Sequence, residues 1–139
     1  MFASEEIFNA LNVSAITSLL DTYTDSGSTS VPALFDAMVL PEDFTGSKSI
    51  NFYINEPRNA ALSFEVYVYT VNCRSDDYSG TNTTSRDIAD AVINTINQEG
   101  NSEGGLSDYY TTCSVLATIP PADGEDNYNT PIEVTIKLR

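Results

Sequence analysis

The groups in this chain with the means to do chemistry are carboxylates. Asp123, Glu125 and Asp126 crowd into one loop with Gly124 and Asn127, and Asp76-Asp77 sits in a second. Oxygen-rich loops of this kind suit a hard cation, and paired carboxylates serve general acid–base catalysis when a pocket raises one pKa. The spacing misses the EF-hand pattern, so a solvated loop is the simpler reading of each cluster. Most other catalytic vocabulary is missing. The chain has no histidine, which removes Ser-His-Asp and Cys-His arrangements and the commonest metal ligand. No phosphate-cradling glycine motif occurs, since Gly104-Gly105 lies in a loop that leads into a strand. The two cysteines, Cys73 and Cys113, stand far apart and without histidine make no standard zinc site. The expectation is a protein with no catalysis, no cofactor and no resident metal.

What remains is surface. Each acidic loop carries a tyrosine, Tyr78 in one and Tyr128 in the other. A loop tyrosine either anchors a partner or folds back on its own sheet edge. The 20 acidic and 6 basic residues give a formal charge of -14. The basic residues are scattered, so no positive stripe exists to grip phosphate, and direct nucleic-acid binding is disfavoured. An acidic surface keeps a protein soluble and lets a polyanion pass without sticking.

At 139 residues, with 41% hydrophobic content and mean hydropathy of -0.17, the chain reads as one soluble domain, 1–139, able to bury a core. No apolar run is long enough for a membrane helix. The start "MFASEEIFNA" shows no secretory pattern, so the expectation is synthesis in the cytoplasm, with free thiols and unused sequons at Asn12 and Asn82.

Periodicity supplies the elements that must position these loops. Ser4, Glu5 and Glu6 open a helix whose apolar residues run Phe8, Leu11, Ala15, Ile16, Leu19 and Leu20, with a break near Asn12-Ser14. "TDSGSTSVP" reads as a flexible polar loop, and "ALFDAMVLP" as a strand or a turn of helix. Ser49–Asn55 alternates as a half-buried strand, followed by an antiparallel strand at "LSFEVYVYTV". Thr84-x-x-Asp87 resembles a capping box ahead of a helix with Ile88, Ala91, Val92, Thr95 and Ile96 on one face, and Gly100 is placed to end it. Strands at Tyr109–Ile119 and Ile132–Arg139 close the chain. Together these give an α+β fold: a mainly antiparallel sheet of four to five strands with two principal helices packed on it.

The strand "LSFEVYVYTV" is apolar on both faces. Leu62, Phe64, Val66 and Val68 share one, and Tyr67, Tyr69 and Val71 the other. Either the helices cover the first face and a neighbouring subunit covers the second, or the two helices sandwich the sheet in three layers.

The succession "ITSLLDTY", "LFDAMVLPEDFTGSKSINFYI", "FEVYVYTV", "NCRSDDYS" and "SRDIADAVINTIN", with two closing strands around an acidic loop, resembles the tail terminator (tail completion) proteins of long-tailed bacteriophages. The likeness covers most of the chain and rests on hydrophobic pattern and element order. It implies a structural virion protein of the tail and neck: a homo-oligomeric ring, a hexamer, that ends the tail tube and joins it to the head connector. DNA would pass through that ring without specific binding. Its partners would be other copies of itself, the tail tube protein and the head–tail connector protein. Tyr67, Tyr69 and Val71 are then candidates for the subunit contact. Asp76, Asp77, Tyr78, Asp123, Glu125, Asp126 and Tyr128 are candidates for touching the tube or connector. The "TDSGSTS" insertion and the extended strand-loop-strand end depart from the family pattern, and they leave a head–tail connector component as an alternative. A cation- or ligand-binding module using the acidic loops is the alternative from another class, with a carboxylate-dependent hydrolase behind it.

Overall fold

The computed structural model describes residues 4–55, 66–96 and 109–138. It is an α+β structure. The opening helix pattern resolves into α1 (Ser4–Leu11) and the single turn α2 (Ser14–Thr17), broken where expected. Val13, extended and without a side-chain cap, precedes α2, and Ser14 is its first helical residue.

The polar "TDSGSTSVP" is a hairpin rather than a flexible loop. β1 (Thr22–Thr24) pairs antiparallel with β2 (Ser30–Pro32). Asp25 closes the turn by accepting the Gly27 and Thr29 amides on Oδ1, at 2.9 and 3.0 Å. A side chain that satisfies the backbone in this way makes a polar run into a turn.

The ambiguous segment after it is β3 (Leu34–Asp36), parallel to β4 (Ser49–Ile54). β5 (Val66–Ser75) runs antiparallel to β4, as expected from sequence. α3 (Ser85–Ile96) follows, and then β6 (Tyr109–Val115) and β7 (Tyr128–Leu138). The five-stranded sheet has the order β3-β4-β5-β7-β6, so the longest strands sit inside and the last two exchange sequence order. β6 stops at Val115, short of the expected Ile119, and Ile119 keeps only an isolated bridge to Asn129.

The capping box is present. Thr84 Oγ1 accepts the Asp87 amide at 3.1 Å, and Asp87 Oδ2 accepts the Thr84 amide at 3.0 Å. Two orphan donors at the start of α3 are thereby satisfied, with Asp in the usual place of Glu. The helix buries Ile88, Ala89, Val92 and Ile96. Ser85 is tied to Thr130 of β7 by a buried hydroxyl pair at 2.9 Å. The expected helix end at Gly100 lies outside the described residues.

α1, α2 and α3 all contribute to one apolar layer. Ile7, Ala10 and Leu11 from α1, Ile16 from α2 and the buried face of α3 meet Ile50, Phe52, Tyr69, Val71, Cys73, Ile132, Val134 and Ile136 from the sheet. The register shows why these share a face: Phe52 is opposite Val71, and Val71 opposite Ile132. Each fully buried aliphatic or aromatic side chain contributes about 1.5–3 kcal/mol relative to exposure.

This settles which side of the central strand the helices cover, and it reverses the expectation. Tyr69 is 1% exposed and Val71 is 0%, and Tyr67 is half-buried against the same core. They face the helices, not a neighbouring subunit. The sandwich alternative fails as well, because α1 and α3 lie in the same layer. Val68, with Thr70, Asn72 and Arg74, belongs to the opposite face, while Leu62 and Phe64 lie outside the described residues.

That opposite face is polar and largely satisfied from within. Asn51 donates to the carbonyls of Ala37 and Met38 at 3.1 and 3.2 Å, and accepts from Arg74 Nε at 3.1 Å. Asn129 donates to Asn72 at 3.0 Å, and Thr70 to Asn55 at 2.8 Å. Near β3 the face is covered by three edge-to-face aromatics: Phe35 against Tyr23 at 5.3 Å and against Phe44 at 5.5 Å.

Cys73 and Cys113 are both free. They are not neighbours, since Cys73 is opposite Thr130 and Cys113 opposite Val134. No helix among the described residues is long and apolar enough to cross a membrane.

Candidate functional site

The two acidic loops, 47 residues apart at Asp76 and Asp123 by number, are brought to one end of the sheet by the pairing of β5 with β7. Ser75 stands opposite Tyr128 at the last rung, so the loop leaving β5 and the loop entering β7 emerge side by side. Tyr78 and Tyr128 stack on each other, with ring centroids 4.8 Å apart and planes inclined by 21°. Neither sequence alternative described this. The rings pair across the loops, with Tyr78 still 71% exposed. Offset aromatic pairs of this kind contribute about 0.5–1.5 kcal/mol beyond area burial.

Each loop is shaped locally. Asp77 Oδ1 accepts both the Ser79 amide and the Ser79 hydroxyl at 2.9 Å, and Oδ2 accepts the Asn82 amide. The Ser79 hydroxyl, the Asn82 amide and the backbone of the turn hold its carboxyl below the usual value. Gly80 (φ 83°) and Gly124 (φ 85°) supply the left-handed corners of the two loops, which residues with a Cβ adopt only at a penalty. Asp77 is thus a loop-forming residue whose two oxygens shape the turn.

Between these loops and the segment 40–47 lies a cleft of about 400 Å³, lined by Leu40, Thr45, Gly46, Ser47, Arg74, Asp76, Glu125, Asp126 and Asn127. Asp21, outside the lining, fixes the end of that segment: its Oδ2 accepts the Ser47 and Lys48 amides at 2.7 and 2.9 Å. Partial burial pushes the Asp21 carboxyl up. The Lys48 and Ser47 amides, the Lys48 charge and the Ser47 hydroxyl outweigh that and leave it below its ordinary value. Gly46 is required there, because a Cβ would stand 2.8 Å from the Phe44 ring.

The expected site residues therefore divide. Asp76, Glu125 and Asp126 line one cleft, Tyr78 and Tyr128 stack beside it, and Asp123 is exposed at the turn next to Gly124. Tyr67, Tyr69 and Val71 lie elsewhere, in the core. Among the described residues no three His, Cys, Asp or Glu side chains are grouped to hold a metal ion.

Sequence reasoning missed Arg74, which it counted among scattered basic residues. In the fold it is a cation lining a cleft with three carboxylates, oriented by Asn51. Its position at the end of a strand, two residues before Asp76, was the available signal. Also missed was the β6 border. From Tyr109 to Ala122 the chain carries no charged residue, and among the described residues no strand pairs with the outer side of β6. Natural edge strands are commonly protected by charge, proline, a bulge or shortness. β6 has seven residues and no charge or proline.

No family model and no curated protein matches the chain.

Proposed function

We propose that this chain is a structural subunit of a long-tailed phage neck, closing with other copies into a ring, a hexamer, that ends the tail tube and joins it to the head connector. The observation that carries the reading is the β6 border, uncharged and without a strand on its outer side among the described residues. An uncharged seven-residue edge on a chain of charge -14 is where protein can meet protein without burying carboxylates. The element order, read against the resemblance given above, supports the same assignment.

The loop end supports a second contact. Its cleft offers one guanidinium and three carboxylates on shaped loops beside an exposed tyrosine pair. Such a surface suits docking of a polar partner segment, here from the tube or the connector. The surplus of acidic groups suits a channel through which DNA slides, since like charge discourages sticking.

The test is light scattering on the purified protein across concentration, with negative-stain images of the same sample. Closed rings of one stoichiometry are the expected result. A chain that stays monomeric up to millimolar concentration, with and without tail tubes, overturns the proposal. Removing residues 123–127 should leave rings intact and abolish tail joining; unimpaired joining removes the docking role of that loop.

A further inference from the structure

The chain has a single Asp-Gly step, Asp123-Gly124, and no Asn-Gly. Aspartate before glycine has a chemistry of its own. The glycine nitrogen, unshielded by a side chain, can attack the aspartate Cγ and close a five-membered ring. In a folded chain the outcome depends on what holds the two groups, and here very little does.

Asp123 and Gly124 are the centre of a turn closed by one backbone bond, from the Glu125 amide to the Ala122 carbonyl at 2.9 Å. Gly124 takes φ 85°, as the third residue of a type II turn does. Among the described residues nothing accepts the Gly124 amide, and the Asp123 carboxyl has no hydrogen-bond or ionic partner. Asp123 is exposed. The space where a Cβ would stand on Gly124 is open to 4 Å, so water reaches the turn.

The aspartates of the other turns are tied down. Asp25 Oδ1 accepts the Gly27 and Thr29 amides. Asp77 engages Ser79 twice and Asn82 once. Asp21 holds the Ser47 and Lys48 amides. Each is followed by a residue with a side chain, Ser26, Tyr78 and Thr22.

We infer that Asp123 is a site of spontaneous isomerisation to isoaspartate in the folded protein. In the first step the Gly124 nitrogen bonds to Asp123 Cγ and the carboxyl C–O bond breaks. The carboxyl hydroxyl and the amide hydrogen leave together as water. In the second step the succinimide takes a water back. Opening at Cγ restores aspartate. Opening at the main-chain carbonyl carbon leaves the chain running through Cγ, with a carboxylate on Cα. Nothing is oxidised or reduced, and the mass is unchanged. The product adds one carbon to the main chain of a turn that a single hydrogen bond closes. Glu125 and Asp126, which line the cleft, follow directly, so the change reaches the cleft from a residue outside its lining.

The experiment holds the native full chain for several weeks below its melting temperature, in water enriched in oxygen-18. Digestion in ordinary water and electron-transfer fragmentation then distinguish isoaspartate from aspartate. Isoaspartate carrying the heavy oxygen should accumulate at Asp123. It should form faster at about pH 5 than at about pH 8, because a neutral carboxyl loses its hydroxyl more readily than a carboxylate. The rate should exceed that at Asp25 or Asp77 by at least about tenfold, since two or more hydrogen bonds must break there first. Asp123→Glu, which would need a six-membered ring, should stay unmodified.

Isoaspartate at Asp123 in the urea-unfolded chain but not in the native one would overturn the inference, because the fold would then protect the site. Equal rates at Asp25 or Asp77 would overturn the structural selection. A product without oxygen-18 would overturn the ring-opening route.

Discussion

Replacing Tyr69 with alanine tests the reassignment of the central strand. Tyr69 is 1% exposed, opposite Val134 in the register and 6.4 Å from the Phe52 ring. Truncating a buried aromatic side chain removes its transfer free energy and leaves a cavity, together about 3–5 kcal/mol. Against a domain stability of about 5–15 kcal/mol that is a large share. For a domain of this size it lowers the melting temperature by roughly 6–20 °C, taking about 2–4 °C per kcal/mol. In urea, with a slope of about 2 kcal/mol per molar, the midpoint falls by about 2 M. The assay is urea unfolding followed by circular dichroism, with light scattering at zero denaturant. Thr70→Ala is the control on the opposite face, where it loses one 2.8 Å hydrogen bond to Asn55, worth about 1 kcal/mol. A Tyr69→Ala protein that keeps its midpoint within about 0.5 kcal/mol of wild type yet loses its oligomers would refute the reasoning. It would return Tyr69 to a subunit contact.

Three further outcomes are expected. Thr84→Ala and Asp87→Ala should each cost about 1 kcal/mol, and the double variant less than their sum, because both remove one reciprocal box; additive unfolding free energies would contradict the shared cap. The Asp21 and Asp77 carboxyls lie below their ordinary values, so their contribution is fully present above the unfolded carboxylate pKa near ~3.9. It is lost as pH falls through the lower folded values. Asp77→Asn should therefore show a shallower stability loss than wild type below about pH 4; relief of repulsion among the other carboxylates is common to both proteins, and parallel curves would contradict the loop bonding. Burial pushes the Cys113 thiol up to about 11 and Cys73 further still. Neither should react with a disulfide reagent at pH 8 until urea unfolds the chain, and rapid labelling of the native protein would place a thiol outside the core.

The sequence carried the fold's class because its strongest signals are local. The strand at 49–54 and the Thr84–Asp87 box are decided within a few residues, and both are found in the structure, although the strand is buried on both faces over Ser49–Phe52 rather than half-buried. The hairpin at 22–32 was lost to composition. A run of Thr, Ser, Asp and Gly says loop, until one Asp25 side chain takes two backbone amides and makes it a turn. The facing of β5 was misread because the strand was framed as Leu62–Val71. Over Val66–Ser75 Tyr67, Tyr69, Val71 and Cys73 alternate with Val68, Thr70, Asn72 and Arg74, and that period-two pattern already turns the tyrosines inward. The register with Ile132, Val134 and Phe52 puts them on the same core face. The loop end was half legible. The acidic residues and tyrosines stood out as types, but their convergence depends on β5 and β7 being neighbours.

Satisfaction of backbone and side-chain polar groups separates the surfaces that need a partner from those that do not. The polar face of the sheet was a candidate for a second buried surface, yet Asn51, Arg74, Asn72, Asn129 and Thr70 bond among themselves or to nearby backbone. Ser49 Oγ and Asn129 Oδ1 are buried there without a hydrogen-bond partner among the described residues, so the face is satisfied from within for the most part and not wholly. A strand border is different, because its outward amides and carbonyls are aligned at a spacing that another extended chain matches. On β6 those groups are accompanied by exposed Tyr110 and Leu116 and by no charge. The same polypeptide that carries 20 acidic residues thus keeps the β6 strand free of them. If assembly is the purpose of that exclusion, a single lysine at Thr112 should undo it while leaving Tyr69 and the core unmoved.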